Sequence, residues 1–184
     1  TIVDLIHYRI ANERTVSRTD SHVLRTTYGS FTVHTYRDSI SGSLHLAYVK
    51  GEISADEPTL VRVHIPNTLR DTCETYNESR TSWSFSGALE KIGQEGRGVA
   101  VLLSGEDYGK SLEQNFHSAL KAGVETDTAD RAGNDLTIGT GSQILRDLGV
   151  GKMRLLNYPA RLNAISGFDL EVIEFVQFDE NSLR

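Results

Sequence analysis

The chain is short of cysteine, of basic excess and of long apolar runs, and each shortage removes a class of function. One cysteine, Cys73, stands among 184 residues. An intramolecular disulfide needs two, so no disulfide framework holds this fold, and a cysteine-rich zinc site is excluded with it. Such cysteine usage fits a reducing compartment, and a cytoplasmic location is the expectation. Acidic residues outnumber basic ones, 25 to 19, for a formal net charge of -6. Domains that bind nucleic acid carry a basic excess, so nucleic acid is not the expected partner, although a small local basic site for a phosphorylated ligand stays compatible. No apolar run approaches the ~20 residues of a membrane span. No signal-peptide pattern opens the chain. A chain that begins at Thr1 rather than methionine is expected to be a processed or excised piece.

What is present is enough for a core. Hydrophobic residues make up 38% and charged residues 24%, the proportions of a folded domain. The length fits one domain with at most a short appendage. Residues 1–18 place Ile2, Leu5, Ile6, Ile10 and Val16 near helical spacing. They are expected to form a linker helix, either docked on this domain or trailing from one upstream, with residues 19–184 as the domain proper. Residues 26–37 alternate Phe31, Val33 and Thr35 with polar neighbours and predict a strand; residues 38–42 are its hairpin connection. Residues 44–50 return, with Leu44, Leu46 and Tyr48 on one side, and residues 59–64 are a third strand stopped by Pro66.

Residues 65–81 are polar and without period. A helix is predicted from Trp83 to about Glu95, then a doubly covered strand over 99–103. A second helix follows over 111–122, and a polar loop over 123–135. In the run LTIGTGSQILRDLGVG, Gly139 and Gly141 predict a permissive turn. Ile144, Leu145 and Leu148 mark a short helix, and Gly149 stops it. Residues 153–156 and 170–175 are strands, with a short helix over 161–165 between them. Hairpins first and helix–strand alternation later give an α/β class: a mixed β-sheet with helices on its faces.

At these residues the sequence resembles the GTP cyclohydrolase II family of riboflavin biosynthesis. The matching pieces run in order through nearly the whole chain: TTYGSF with YRDSISG, HLAYVKG, LVRVH, ALEKIGQEGRGVAVLL, and GTGSQILRDLGVGKMRLL with SGFDLEV. The opening TIVDLIHYR is similar to the junction that follows dihydroxybutanone phosphate synthase in two-domain fusions. The resemblance implies a reaction that opens the guanine imidazole ring, releases formate and removes pyrophosphate. It also implies three kinds of equipment.

The first is a zinc ion on three cysteines that activates water. The first ligand position falls on Asn67, and the other two fall near Glu78 and Arg80. A substitute site of His64, Cys73 and Glu78 is the weaker alternative; the plainer one makes Cys73 a small loop or core residue. Loss of the metal site is therefore expected, with no cofactor. The second is the acid–base and nucleophile pair. Aligned on the two glycines, those positions hold Asn134 and Leu136, and a slip of one residue offers Asp135 but no arginine. The third is nucleotide recognition. Glu106 is kept while the arginines around it are gone, and Asp107 adds charge that repels a diphosphate. Arg62, His64, Thr126 and Arg161 match positions that line the nucleotide site, as does Asp71. Each has a structural alternative: Arg62 pairing across a strand, His64 bonding at a strand end, Thr126 in a turn. Arg97 reads as solvent-facing.

The expectation is thus a GTP cyclohydrolase II-like domain whose frame survives and whose catalytic equipment does not. It would stabilise, dimerise or regulate a fused 3,4-dihydroxy-2-butanone 4-phosphate synthase, with a homodimer as the expected assembly and GTP as a possible residual ligand. The alternative is an active or ligand-sensing homologue that binds GTP or a flavin-pathway intermediate.

Overall fold

A computed structural model gives the fold; it describes residues 13–73, 83–104, 131–157 and 165–178. The described strands form one seven-stranded sheet. In chain order they are β1 (Val16–Thr26), β2 (Gly29–Asp38), β3 (Leu44–Lys50), β4 (Thr59–His64), β5 (Gly98–Leu102), β6 (Lys152–Leu156) and β7 (Glu171–Val176). The helices are a single turn α1 (Thr68–Asp71), α2 (Phe85–Glu95) and α3 (Arg131–Asp147), and a 3-10 turn spans Ile165–Phe168. Across the sheet the order is β1-β2-β3-β5-β4-β6-β7. The first three strands and β5 pair antiparallel; β5, β4, β6 and β7 run parallel. This is the mixed α/β sheet the sequence predicts.

Two cores sit on its two faces. Alternation along β4 sends Val61 to one and Leu60 to the other. The helix α2 lays Ala88, Leu89 and Ile92 against Phe31, Val33, Leu60 and Ala100. On the opposite face α3 lays Ile144 and Leu145 against Tyr36, Ala47, Val61, Val99 and Val101. Ser84 caps α2, accepting from Gly87 N at 3.0 Å. Gly149 closes α3 at φ 81°. There Val150 N donates to Leu145 O and Gly149 N to Arg146 O, both at 3.0 Å, the paired bonds of a glycine-terminated helix.

The structure corrects four sequence expectations. Residues 1–12 of the expected linker helix lie outside the described residues, but Val16–Arg18 are strand, paired with residues 36–38 of β2. The first predicted strand starts later than expected, at Gly29 as β2, and an unpredicted strand, β1, precedes it through the turn at Thr27 and Tyr28. Part of the polar stretch 65–81 is helical, as α1. The fourth correction concerns the glycine turn, because α3 runs straight through Gly139 and Gly141 and begins at Arg131, inside the expected loop. Glycine in a helix interior costs about 1 kcal/mol; here it permits close packing. A Cβ on Gly141 would stand 2.9 Å from Val63 Cγ1, so the absent side chain lets α3 approach β4. The expected helix over 111–122 lies outside the described residues, as does that over 161–165 except for Ile165. No helix among the described residues is long and apolar enough to cross a membrane.

Candidate functional site

The strand β4 lies between β5 and β6, parallel to both. After β4 the chain passes to α2 on one face and returns as β5; after β5 it reaches α3 on the other face and returns as β6. Segments leaving the carboxyl ends of β4 and β5 therefore part to opposite faces. Open α/β sheets bind ligands in the crevice such a parting creates. The last residue of β4 is His64, beside Leu102 at the end of β5, and His64 O accepts from Leu103 N at 2.9 Å.

Three of the sequence candidates, Arg62, His64 and Asp71, meet there. His64 and Arg62 share the face of β4 that carries Leu60, and both are buried. His64 Nε2 lies 2.7 Å from Asp71 Oδ2. The same oxygen accepts from Asn67 N at 2.7 Å, and Oδ1 accepts from Phe85 N at 3.4 Å. Asp71 thus ties the end of β4, the turn α1 and the first residue of α2 into one corner. Arg62 donates from Nη1 to Leu156 O at 2.7 Å and from Nη2 to Trp83 O at 3.0 Å, which joins β4 to the end of β6 and the start of α2. Its Nε lies 3.4 Å from His64 Nδ1. A guanidinium only donates, so His64 Nδ1 is an acceptor and the ring proton sits on Nε2, directed at Asp71. The imidazole also packs on Phe85, with ring centroids 5.4 Å apart.

The structure places the other candidates elsewhere. Glu106, Thr126 and Arg161 lie outside the described residues, as do Glu78 and Arg80. Asn134 and Leu136 fall within the first turns of α3, and their side chains are outside the described set. Arg97 bonds Pro58 O at 2.8 Å and pairs with Glu57, so its partners are the turn ahead of β4. Cys73 is exposed.

The donors at this corner do not suit the zinc ion that the resemblance implies. Asn67 offers a carboxamide, a poor zinc ligand. Both oxygens of Asp71 already receive N–H groups, and His64 Nε2 is spent on one of them. Among the described residues no group of three His, Cys, Asp or Glu is placed to hold a metal.

A second polar cluster, unmarked in the sequence, lies on the α3 face. Asp147 accepts from Tyr36 Oη at 2.8 Å, from Arg18 Nη2 at 2.7 Å and from Arg14. Burial pushes the carboxyl of Asp147 up, but the bonds from Tyr36 and Arg18 and the two guanidinium charges outweigh it, and the net shift is downward. Gln143 Oε1 accepts from Thr15 N at 2.9 Å and Val16 N at 3.2 Å. Together these bonds fasten the chain before β1 to the last turn of α3. The pairings span more than a hundred residues, so no local pattern announces them.

Comparison with known proteins adds the following. A model of the family described as GTP cyclohydrolase II matches residues 17–177. A protein of Pseudomonas aeruginosa named 3,4-dihydroxy-2-butanone 4-phosphate synthase is 47% identical over 96% of this chain and 47% of its own length. An Aquifex aeolicus protein named riboflavin biosynthesis protein RibBA is 37% identical over 96% of this chain and 45% of its own. Among solved structures, RibBX of A. baumannii, described as a two-domain 3,4-dihydroxy-2-butanone 4-phosphate synthase, matches with a TM-score of 0.64 and 40% identity. That match covers 97% of this chain and 45% of RibBX. The chain spans about half the length of the relatives it matches.

Proposed function

Because the chain belongs to the GTP cyclohydrolase II family of riboflavin biosynthesis, we propose that it is a member that has given up opening the guanine ring. In this reading it forms the downstream part of a fused 3,4-dihydroxy-2-butanone 4-phosphate synthase, which it stabilises, dimerises or regulates. The observation that carries the reading is the corner at Asp71. The place where the family resemblance puts a metal ligand holds Asn67, and its main chain is bonded to a carboxylate that also holds His64 and α2. Among the described residues, the donors of this corner are engaged in protein–protein hydrogen bonds, which supports the reading. Asn134 and Leu136, at the positions of the acid and the nucleophile, bring neither a titrating group nor a phosphate acceptor. The names of the relatives support the fusion. The Pseudomonas protein and RibBX are both named for the synthase, and each is about twice the length matched.

The test removes this domain from the fused protein and compares synthase turnover and oligomeric mass with the whole protein. A loss of activity or of dimer mass is expected; equality in both overturns the reading.

The retained crevice between β4 and β5 favours a second reading, in which the domain binds a purine nucleotide or a flavin-pathway intermediate without converting it. Titration calorimetry with GTP and with riboflavin tests it. Heat of binding that Arg161→Ala abolishes supports this reading; no heat with either compound overturns it.

A further inference from the structure

We propose that the hairpin Asp38–Ser43, with Leu44 beyond it, is the surface on which the upstream synthase half of the fused protein docks. The proposal rests on the fusion reading above.

The hairpin is an exposed apolar knob on a stiff base. Ile40 is 65% exposed and Leu44 is 42% exposed. The turn that presents them is tightly bonded. Asp38 Oδ1 accepts from Ile40 N at 2.7 Å, Gly42 N donates to Asp38 O at 2.9 Å, and Asp38 N donates to Ser43 O at 2.9 Å. Arg37 Nη1 adds a bond to Gly42 O at 3.1 Å. A preorganised anchor loses little freedom on binding, so a small patch gains more from contact than a mobile one would.

The described chain also begins at this knob. Ser39 donates to Thr15 O twice, from N at 2.9 Å and from Oγ at 3.0 Å. Thr15, Val16, Arg14 and Arg18 are held in turn by Gln143 and Asp147 of α3. The described chain therefore starts two residues ahead of a residue bonded to the hairpin. A domain carried on the same chain meets the hairpin at an effective concentration that reaches the millimolar range for short flexible linkers. That is enough for an apolar contact too weak to hold two separate molecules. The chain spans about half the length of its relatives, which leaves a domain-sized partner to occupy the patch.

The position suits regulation. Leu46 of β3 stands opposite Leu102 of β5, which stands opposite His64 of β4. Neighbouring strands are ~5 Å apart, so Leu44 lies within roughly 10–12 Å of the crevice edge. Ser104, where the chain leaves β5, donates from Oγ to Leu44 O. A synthase half seated on the hairpin borders the crevice, so occupancy of the crevice and the seating of the synthase share one edge of the sheet.

The test uses the whole fused protein. In a Cys73→Ser background, Ile40→Cys is labelled with a polarity-sensitive fluorophore. Ile173→Cys, on the far edge strand and 46% exposed in the native residue, serves as the control. The expected result is a blue-shifted label at position 40 that iodide quenches about threefold or more slowly than the label at 173, unchanged over a roughly hundredfold range of concentration. Equal quenching at the two positions overturns the proposal. Shielding that grows with concentration also overturns it, because it gives the patch to a second copy of the chain. Synthase turnover of the same samples separates the two ideas. An unshielded label on an active synthase sinks only the docking surface, whereas absence of synthase activity sinks the fusion reading beneath it.

Discussion

Replacing Asp71 by asparagine keeps the size of the side chain and removes one charge and one acceptor. In the native corner three N–H groups of described residues converge on the carboxylate, from His64 and Asn67 at 2.7 Å and from Phe85 at 3.4 Å. An asparagine accepts through one atom only. With its carbonyl toward His64 and Asn67, its amide nitrogen faces the Phe85 N–H, donor against donor; turned over, it faces two donors instead of one. The first arrangement is cheaper. It weakens two charge-assisted bonds to neutral ones, at about 1 kcal/mol each, and gives up a third, long bond. Asp71 is 18% exposed, so water takes over part of the Phe85 bond. The sum is about 2 kcal/mol, which for a chain of this length lowers Tm by roughly 4–8 °C. Thermal unfolding of Asp71→Asn followed by circular dichroism measures this. A double-mutant cycle with His64→Phe isolates the His64–Asp71 pair, for which a coupling of about 1–2 kcal/mol is expected. A fall in Tm below about 1 °C, or a coupling near zero, refutes the view that this carboxylate holds the corner together.

Three further outcomes follow from the same structure. Gly141→Val forces a branched side chain into the 2.9 Å approach of α3 to Val63 and is expected to cost about 2 kcal/mol or more in denaturant unfolding; a stabilised variant would show that the approach is slack. The carboxyl of Asp147 is held below its ordinary 3.8, so its contribution is present above that value and is lost as pH falls through the depressed folded value. Asp147→Asn is expected to be less stable at neutral pH, by a margin that shrinks below about pH 4. A margin independent of pH counts against the Arg18–Tyr36–Asp147 cluster. Burial lowers the pKa of His45 against the opposing pull of Asp38; it lowers that of His34 with help from the Arg18 charge, against Asp147. Each contributes stability in full above 6.5 that is lost as pH falls below it, because the unfolded chain then binds the proton more tightly. The double variant His34→Asn, His45→Asn should flatten the stability profile between neutral pH and the folded values. An unchanged slope in that window contradicts the assignment.

Much of the sheet was legible because burial imposes a period. Leu60, Val61, Val99 and Val101 announce central strands, and Phe31 and Val33 alternate as a covered strand must. β1 was missed for the opposite reason. Nearly all of it is exposed on both faces, including Val23 and Leu24 at the sheet edge, so it carries no alternation to read. The start of α3 was missed because glycine signals a turn and a close approach equally well, and only the position of Val63 decides between them. At the crevice, Arg62 and His64 were legible as candidates through the family resemblance. Asp71 was legible in the same way, but the bonds that join these residues were not. Asp71 follows His64 by seven residues across a proline and a helical turn, and Arg62 bonds main-chain carbonyls at Trp83 and Leu156 that any sequence would supply.

The most direct test of the central claim is a formate-release assay with GTP on protein expressed and assayed with ample zinc, with bound metal measured on the same sample. The account predicts no formate above the protein-free control and zinc well below one ion per chain. Sustained formate release with a stoichiometric metal ion would contradict it and return the domain to the working members of its family.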